Sequence, residues 1–182
     1  MTETSEARLA AGLQNLDSQT VGAIYDRFYG EVFRYIRYRI ADDVVAEDLA
    51  SDVFLRLLEA ARKKQGPQSS LKGWLIATAS NVVNDYLRRQ YRRPQADLSE
   101  TLPDHSPGIP AVVDARDERR SVHEAYVQLT PEQQHVLALR FGQGYSLEET
   151  ADHMKKNINA VKALQFRALA SLQRQIGEVM HD

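Results

Sequence analysis

The sequence predicts an all-α protein of two small helical domains joined by a flexible linker, the second domain containing a helix-turn-helix. Three observations lead there. Apolar residues recur at helical spacing along most of the chain. Val, Ile and Thr never alternate over enough positions to mark a strand. Four of the six prolines (Pro94, Pro103, Pro107 and Pro110) cluster between the two helical stretches. The chain has 182 residues, 43% hydrophobic and 26% charged, an ordinary globular balance. It holds no cysteine, which excludes a disulfide scaffold, a thiolate zinc site, an iron–sulfur centre and a cysteine nucleophile. No apolar run is long enough to span a bilayer. The polar, acidic start Met1–Glu6 does not look like a secretion signal, so a cytoplasmic protein is expected.

The N-terminal domain, residues 1–93, carries three apolar stripes. Ile24, Phe28, Val32, Tyr35 and Ile36 form one, and Leu49, Val53, Leu57 and Ala60 a second. Leu71, Leu75, Ala79, Val82, Val83 and Tyr86 form the third, on a helix that ends in Arg88-Arg89 and Arg92-Arg93 and is stopped by Pro94. Residues 94–120 are acidic, proline-rich and poor in apolar periodicity, and read as an extended linker.

Residues 121–182 have the sharpest local signals. Thr130-Pro131 with Gln133 predicts an N-cap, a proline at the first helical position and a capping box. That helix should end at Gly142-Gln143-Gly144. Ser146 with Glu149 is a second capping box, opening a short helix to about Met154. Lys155-Lys156 should turn, and Asn157 should cap a last helix running to about Gly177, with Val161, Ala168, Leu172 and Ile176 inward. A short helix, a tight turn and a longer basic helix make a helix-turn-helix.

Charge is unevenly placed. Residues 1–55 sum to −5, residues 56–93 to +7, residues 94–122 to −3, residues 123–154 to −4 and residues 155–182 to +3. Two basic blocks on helices with interleaved aromatics suggest two contacts to polyanions, with protein contacts elsewhere. On the last helix, Lys156, Asn157, Asn159, Lys162, Gln165, Phe166 and Arg167 supply amides, cations and one aromatic suited to the major groove and its phosphates. The bland reading is a terminal amphipathic helix that merely packs; the capped short helix before it favours a DNA reader. In the other block, Lys63 and Lys64 in a loop, with Arg88 and Arg89 near Tyr86 and Tyr91, suit single-stranded nucleic acid. Trp74 reads more simply as a core residue.

Taken together, these stretches resemble a bacterial RNA polymerase sigma factor of the compact two-domain extracytoplasmic-function type. Residues 46–58, AEDLASDVFLRLL, resemble the helix with which that family grips the polymerase clamp. Residues 71–93 resemble its helix for the promoter −10 element, and residues 129–174 its −35-reading domain. The resemblance implies that Asp48, Leu49, Asp52, Val53 and Leu55 contact polymerase. It implies that Asn81 sits near a flipped-out −10 base, in a pocket shaped by the loop Ala61–Ser70, and that Lys162 and Arg167 contact the −35 element. The departures are Ser51 for a usual glutamine, Lys155 for the turn glycine, Leu164 and Leu169 for common arginines, and Gln165 for an apolar residue. The implied partners are RNA polymerase core enzyme, promoter DNA and an anti-sigma factor. No cofactor or metal is expected.

Two other classes compete. An enzyme would need an acid/base pair, a metal-ligand spacing or a phosphate loop after a strand, and none stands out. The histidines at 105, 123, 135, 153 and 181 are scattered and read as structural or solvated. A helix-turn-helix regulator that is not a polymerase subunit shares the C-terminal domain. It would need a ligand or phosphoacceptor domain, usually with strands, and the N-terminal half offers none.

Overall fold

The computed structural model describes residues 2–92 and 110–179, and all regular structure among them is helical. Helix α1 covers Thr2–Gln14, α2 Ser18–Arg39, α3 Asp43–Arg62 and α4 Leu71–Arg92. After the undescribed residues 93–109 come α5 (Pro110–Val127), α6 (Pro131–Leu137) running into a π-helical turn (Ala138–Gly142), α7 (Leu147–Met154) and α8 (Ile158–Val179).

Local chemistry sets where the helices begin. The Asp17 carboxylate accepts from the Thr20 N–H at 2.9 Å, and that of Asp42 from Val44 and Val45 at 2.9 and 3.1 Å. Each thereby satisfies donors that a helix leaves open at its first turn. Both expected capping boxes form, Thr130 with Gln133 and Ser146 with Glu149. Asn157 Oδ1 accepts from the Ala160 N–H at 2.7 Å, the cap expected for the last helix.

The N-terminal bundle packs the expected stripes against one another. Ile24, Phe28, Val32, Tyr35 and Ile36 of α2 meet Val53 and Leu57 of α3 and Leu71, Leu75, Ala79, Val82 and Val83 of α4, all buried. Ala46 and Ala50, both fully buried, leave α3 without bulk where it meets its neighbours. Helix α1 is an addition to the sequence expectation. Its only large apolar side chains are Leu9 and Leu13, one turn apart, which face this core. The C-terminal half has its own smaller core of Tyr126, Leu129, Val136, Leu137, Ala151, Val161, Leu164 and Ala168.

The expected linker 94–120 differs at its end. Residues 94–109 lie outside the described residues, but α5 already starts at Pro110. Proline suits a first helical position because its φ is preset and its missing N–H would be unpaired there anyway. Among residues 117–127 of α5, whose burial is described, only Ala125 and Tyr126 are buried, and the sequence of the helix carries no continuous apolar stripe to betray it.

The two halves touch. Ala138 and Leu139 of the π-helical turn are fully buried in the same cluster as α2. The Tyr38 and Tyr126 rings meet edge to face at 5.4 Å. A Cβ on Gly142 would lie only 3.0 Å from the Tyr38 ring, so this glycine permits close approach to α2. Gly144 serves differently, holding φ at +70° where the chain leaves the turn.

Lys155 closes α7 at φ 55°, ψ 44°, the left-handed conformation that a turn glycine would adopt without strain. Lys155→Gly should therefore stabilise the fold by roughly 0.5–1 kcal/mol, after the larger unfolded-state entropy of glycine is subtracted. Thermal unfolding followed by circular dichroism should show a Tm rise of about 1–4 °C. A lower Tm would show that the lysine side chain contributes more than its backbone costs.

Candidate nucleic-acid interface

Three exposed faces and one buried junction carry the chemistry. Helix α3 turns Val44, Asp48, Ser51 and Leu55 outward, with Val44 68% and Leu55 62% exposed. These positions recur at helical intervals, so one stripe is both acidic and apolar. Among the residues expected there, Asp48 and Leu55 are exposed and Leu49 is half-buried. Asp52 is paired with Arg56 at 3.1 Å, and Arg56 also reaches Asp85 of α4 at 3.8 Å. Val53 departs from the expectation: it is fully buried in the bundle core. A motif match fixes its position along the helix, but the helical phase turns its side chain inward.

The second face is the loop after α3 and the far part of α4. Lys63 pairs with Glu59 at 2.8 Å, and Lys64 holds a left-handed φ of 57° that bends the chain. Asn81 is exposed on α4, as are Arg88 and Arg89; Arg88 is held by Asp85 one turn back. Trp74 is half-buried beside the core, as the plain reading has it. It also lines a cleft of Ser70, Lys72, Tyr145, Asp152 and His153, where the 67–77 segment faces α7.

The third face is α8. Asn159, Lys162, Phe166 and Arg167 are exposed, Phe166 by 74%. They fall within little more than two turns, so α8 presents an amide, two cations and an aromatic to the solvent. Lys156 pairs with Glu132 of α6 at 2.8 Å, and Asn157 serves as the cap. Gln165 departs from its expected role as a reader. It is half-buried, and its Oε1 accepts from Arg140 Nε at 2.9 Å, tying α8 to the π-helical turn. Leu164, standing where the resembled family has arginine, is 5% exposed and belongs to the core.

Sequence reasoning missed the junction. Arg39, the last residue of α2, is fully buried. Its guanidinium donates to Gln134 Oε1 (3.0 and 3.2 Å), Asn84 Oδ1 (2.6 Å), the Tyr35 hydroxyl (3.2 Å) and Ser80 Oγ (3.4 Å). All four partners are neutral. Gln134, from α6, in turn donates to the Leu129 carbonyl at 3.2 Å and accepts at its own carbonyl from the Tyr126 hydroxyl at 2.7 Å. The signal available in the sequence is Arg39 at the end of RYIRYR, one turn after buried Tyr35.

Tyr35 and His135 complete the junction, with the hydroxyl 2.7 Å from Nδ1. Burial pushes the Tyr35 hydroxyl up, with Arg39 pulling the other way, so it stays protonated. Because the Tyr35 oxygen already accepts from Arg39, its proton is the one available to a neutral His135 Nδ1. Burial first, then His153 and Arg39, push His135 down to about 3. His153, whose ring centroid lies 5.4 Å away, is also lowered by burial.

Comparison with known proteins completes the description. Residues 24–93 match the family model of sigma-70 region 2, and residues 127–174 that of sigma-70 region 4. The chain is 34% identical over 171 residues to the ECF RNA polymerase sigma factor BldN of Streptomyces coelicolor, aligning 87% of this chain with 61% of that protein. It is 29% identical over 170 residues to the ECF RNA polymerase sigma factor SigX of Bacillus subtilis, covering 87% of this chain and 84% of that one. Among solved structures, CnrH in complex with the cytosolic domain of CnrY shares the fold. It has a TM-score of 0.66 at 20% identity, covering 95% of this chain and 97% of that one. Among the described residues, no helix is long and apolar enough to cross a membrane, and no cluster of His, Asp and Glu could hold a metal ion.

The histidine at the junction makes stability depend on pH. In the folded protein His135 stays neutral to about 3, whereas unfolded histidine titrates near 6.5. Between these values the unfolded chain binds more protons, so stability is full above pH 6.5 and falls as pH drops below it, by up to about 1.4 kcal/mol per unit. The urea midpoint should fall between pH 7.5 and 5.5, and His135→Gln should remove much of that fall. An unaltered pH profile in His135→Gln would show that this imidazole is not the responsive group.

Proposed function

This chain belongs to the sigma-70 family, as a sigma factor of the extracytoplasmic-function type, and on that premise we propose that it binds core RNA polymerase and directs transcription from specific promoters. The observation that supports the reading most is the order of its parts. A region 2 match and a region 4 match follow one another along the chain, and each contains an exposed helix face of the right chemistry. The acidic and apolar stripe of α3 is the polymerase contact, made by Asp48, Leu49 and Leu55, with Asp52 beside it in its ion pair to Arg56 and Val53 supporting it from within the bundle. Asn81, Lys63, Lys64, Arg88 and Arg89 serve the −10 element, where an unstacked strand offers bases and phosphates together. Asn159, Lys162, Phe166 and Arg167 serve the −35 element from the major groove, while Lys156 and Asn157 set the helix N-terminus towards phosphate. The protein acts in the cytoplasm as an initiation factor rather than an enzyme, and an anti-sigma factor restrains it.

The polymerase contact is tested with Asp48→Arg combined with Leu55→Arg. Both side chains are exposed, so the variant should fold normally and lose tenfold or more in affinity for core enzyme, equivalent to about 1.4 kcal/mol. Undiminished co-purification of the folded variant would overturn the assignment of α3.

The DNA contact is tested with Lys162→Ala and Arg167→Ala in electrophoretic and salt-titration assays of the holoenzyme on a cognate promoter. A lost phosphate contact should weaken binding across sequences and lower the salt slope by about one. A lost base contact should cost roughly 1–3 kcal/mol and relax a single position. Wild-type behaviour of both variants would mean that α8 docks by another face.

A further inference from the structure

Four charged side chains form one line across the contact of α3 with α4. Asp52 and Arg56 stand one turn apart on α3, and Asp85 and Arg88 one turn apart on α4, the spacings at which helical side chains meet. Arg56 donates from Nε to Asp52 at 3.1 Å and turns Nη2 towards one Asp85 oxygen at 3.8 Å, while the other Asp85 oxygen holds Arg88 at 2.5 Å. Asp52, Arg56 and Asp85 are half-buried, and Arg88 is exposed. One end of the line lies beside the acidic stripe of α3. The other end is a cation at the DNA-facing end of α4.

We propose that this line is a relay through which polymerase binding at Asp52 releases Arg88 for DNA, with Arg56 and Asp85 as positioning residues. The proposal rests on the sigma-factor reading for its two ends, but not for the ion pairs between them. In the free chain Arg56 is committed to Asp52, so the Asp85 carboxylate is left to Arg88 and competes with any phosphate for it. A polymerase cation at Asp52 takes over the partner that Arg56 now holds. The guanidinium then closes the 3.8 Å gap to Asp85, and a carboxylate filled from that side binds Arg88 less tightly. Half-burial lets the charges feel one another, because pairs partly withdrawn from water are screened less than exposed ones. Four linked charges also form a network, the case in which surface ion pairs have a measurable effect. The scale of single exposed pairs sets the coupling at roughly two- to fivefold. By linkage, DNA on Arg88 tightens polymerase at Asp52 by the same factor. A plain clamp between α3 and α4 would behave otherwise: losing Asp52 would change stability but not the anion that Arg88 meets.

The test is binding of a fluorescent single-stranded oligonucleotide with the −10 non-template sequence of a cognate promoter. Anisotropy is read for the free full-length chain and for its holoenzyme. Asp52→Asn removes the charge that holds Arg56, as polymerase would, and should tighten binding by the free chain roughly two- to fivefold. With Arg56→Gln or Arg88→Ala also present, that gain should vanish. Holoenzyme assembled at saturating core enzyme should show no gain, because polymerase already occupies Asp52. Side-chain proton–nitrogen NMR follows the relay without DNA. The Arg88 Nε–H resonance should move in Asp52→Asn and return when Arg56→Gln is added. An equal gain in the Arg56→Gln background would mean that the lost charge acts on DNA through space, which overturns the relay. A stationary Arg88 resonance in Asp52→Asn overturns it as well. A moved resonance with no gain in binding overturns the coupling to DNA. If the unaltered holoenzyme directs no transcription, the sigma-factor reading fails, and the Arg88 resonance alone decides whether the ion pairs are linked.

Discussion

Burying the Arg39 charge is the constraint to which the rest of the molecule answers. A guanidinium cut off from water needs its donors filled, and here that takes side chains from α2, α4 and α6. The last turn of α2 is a favourable place for it, because the negative end of the helix dipole supplies part of the missing counter-charge. Gln134 cannot move without abandoning Arg39, and Gln134 is also what ties α6 to the α5–α6 connection through the Leu129 carbonyl. One unbroken chain of hydrogen bonds therefore runs from α4 to the platform that carries the helix-turn-helix. Ala138 and Leu139 close the same junction with apolar contact, so its geometry has both a polar and a non-polar determinant.

The outward faces follow from what the core takes up. Small fully buried alanines let α3 lie close to its neighbours, which leaves Asp48 and Leu55 facing solvent. In the second half, Leu164 and Gln165 are both claimed internally, one by the core and one by Arg140. Among the α8 residues weighed for DNA contact, that leaves Asn159, Lys162, Phe166 and Arg167 exposed. The Phe166 ring, 74% exposed, stands beside the cations Lys162 and Arg167 on this face.

Much of this was legible in the sequence where the cause is local. The capping boxes at Thr130 and Ser146 and the Asn157 cap lie within three residues of the donors they satisfy, so the pattern alone locates them. The stripe Ile24, Phe28, Val32, Tyr35 and Ile36 is buried as its spacing requires. What stayed hidden depends on residues far apart in the chain. Arg39 and Gln134 are separated by 95 positions, and nothing in RYIRYR sets Arg39 apart from Arg34 and Arg37 until its partners are known. Val53 lies within a recognisable motif, yet only the phase of α3 against the bundle turns it inward. Helix α5 escaped notice because most of its length carries no apolar stripe.

The shared core of Ala138, Leu139 and α2 also bears on the order in which the chain is made. Synthesis delivers α2 and α4 first, and roughly 50 residues separate Arg92 from the end of the π-helical turn. At roughly 5–20 residues per second, the N-terminal bundle spends several seconds with its Arg39 face uncovered while the rest emerges. During that interval Arg39 is hydrated rather than buried, and the neighbouring Tyr35 and Ile36 surface is open to whatever is nearby. The nascent bundle thus passes through a stage in which it already displays α3 and does not yet have the segment that covers its opposite side.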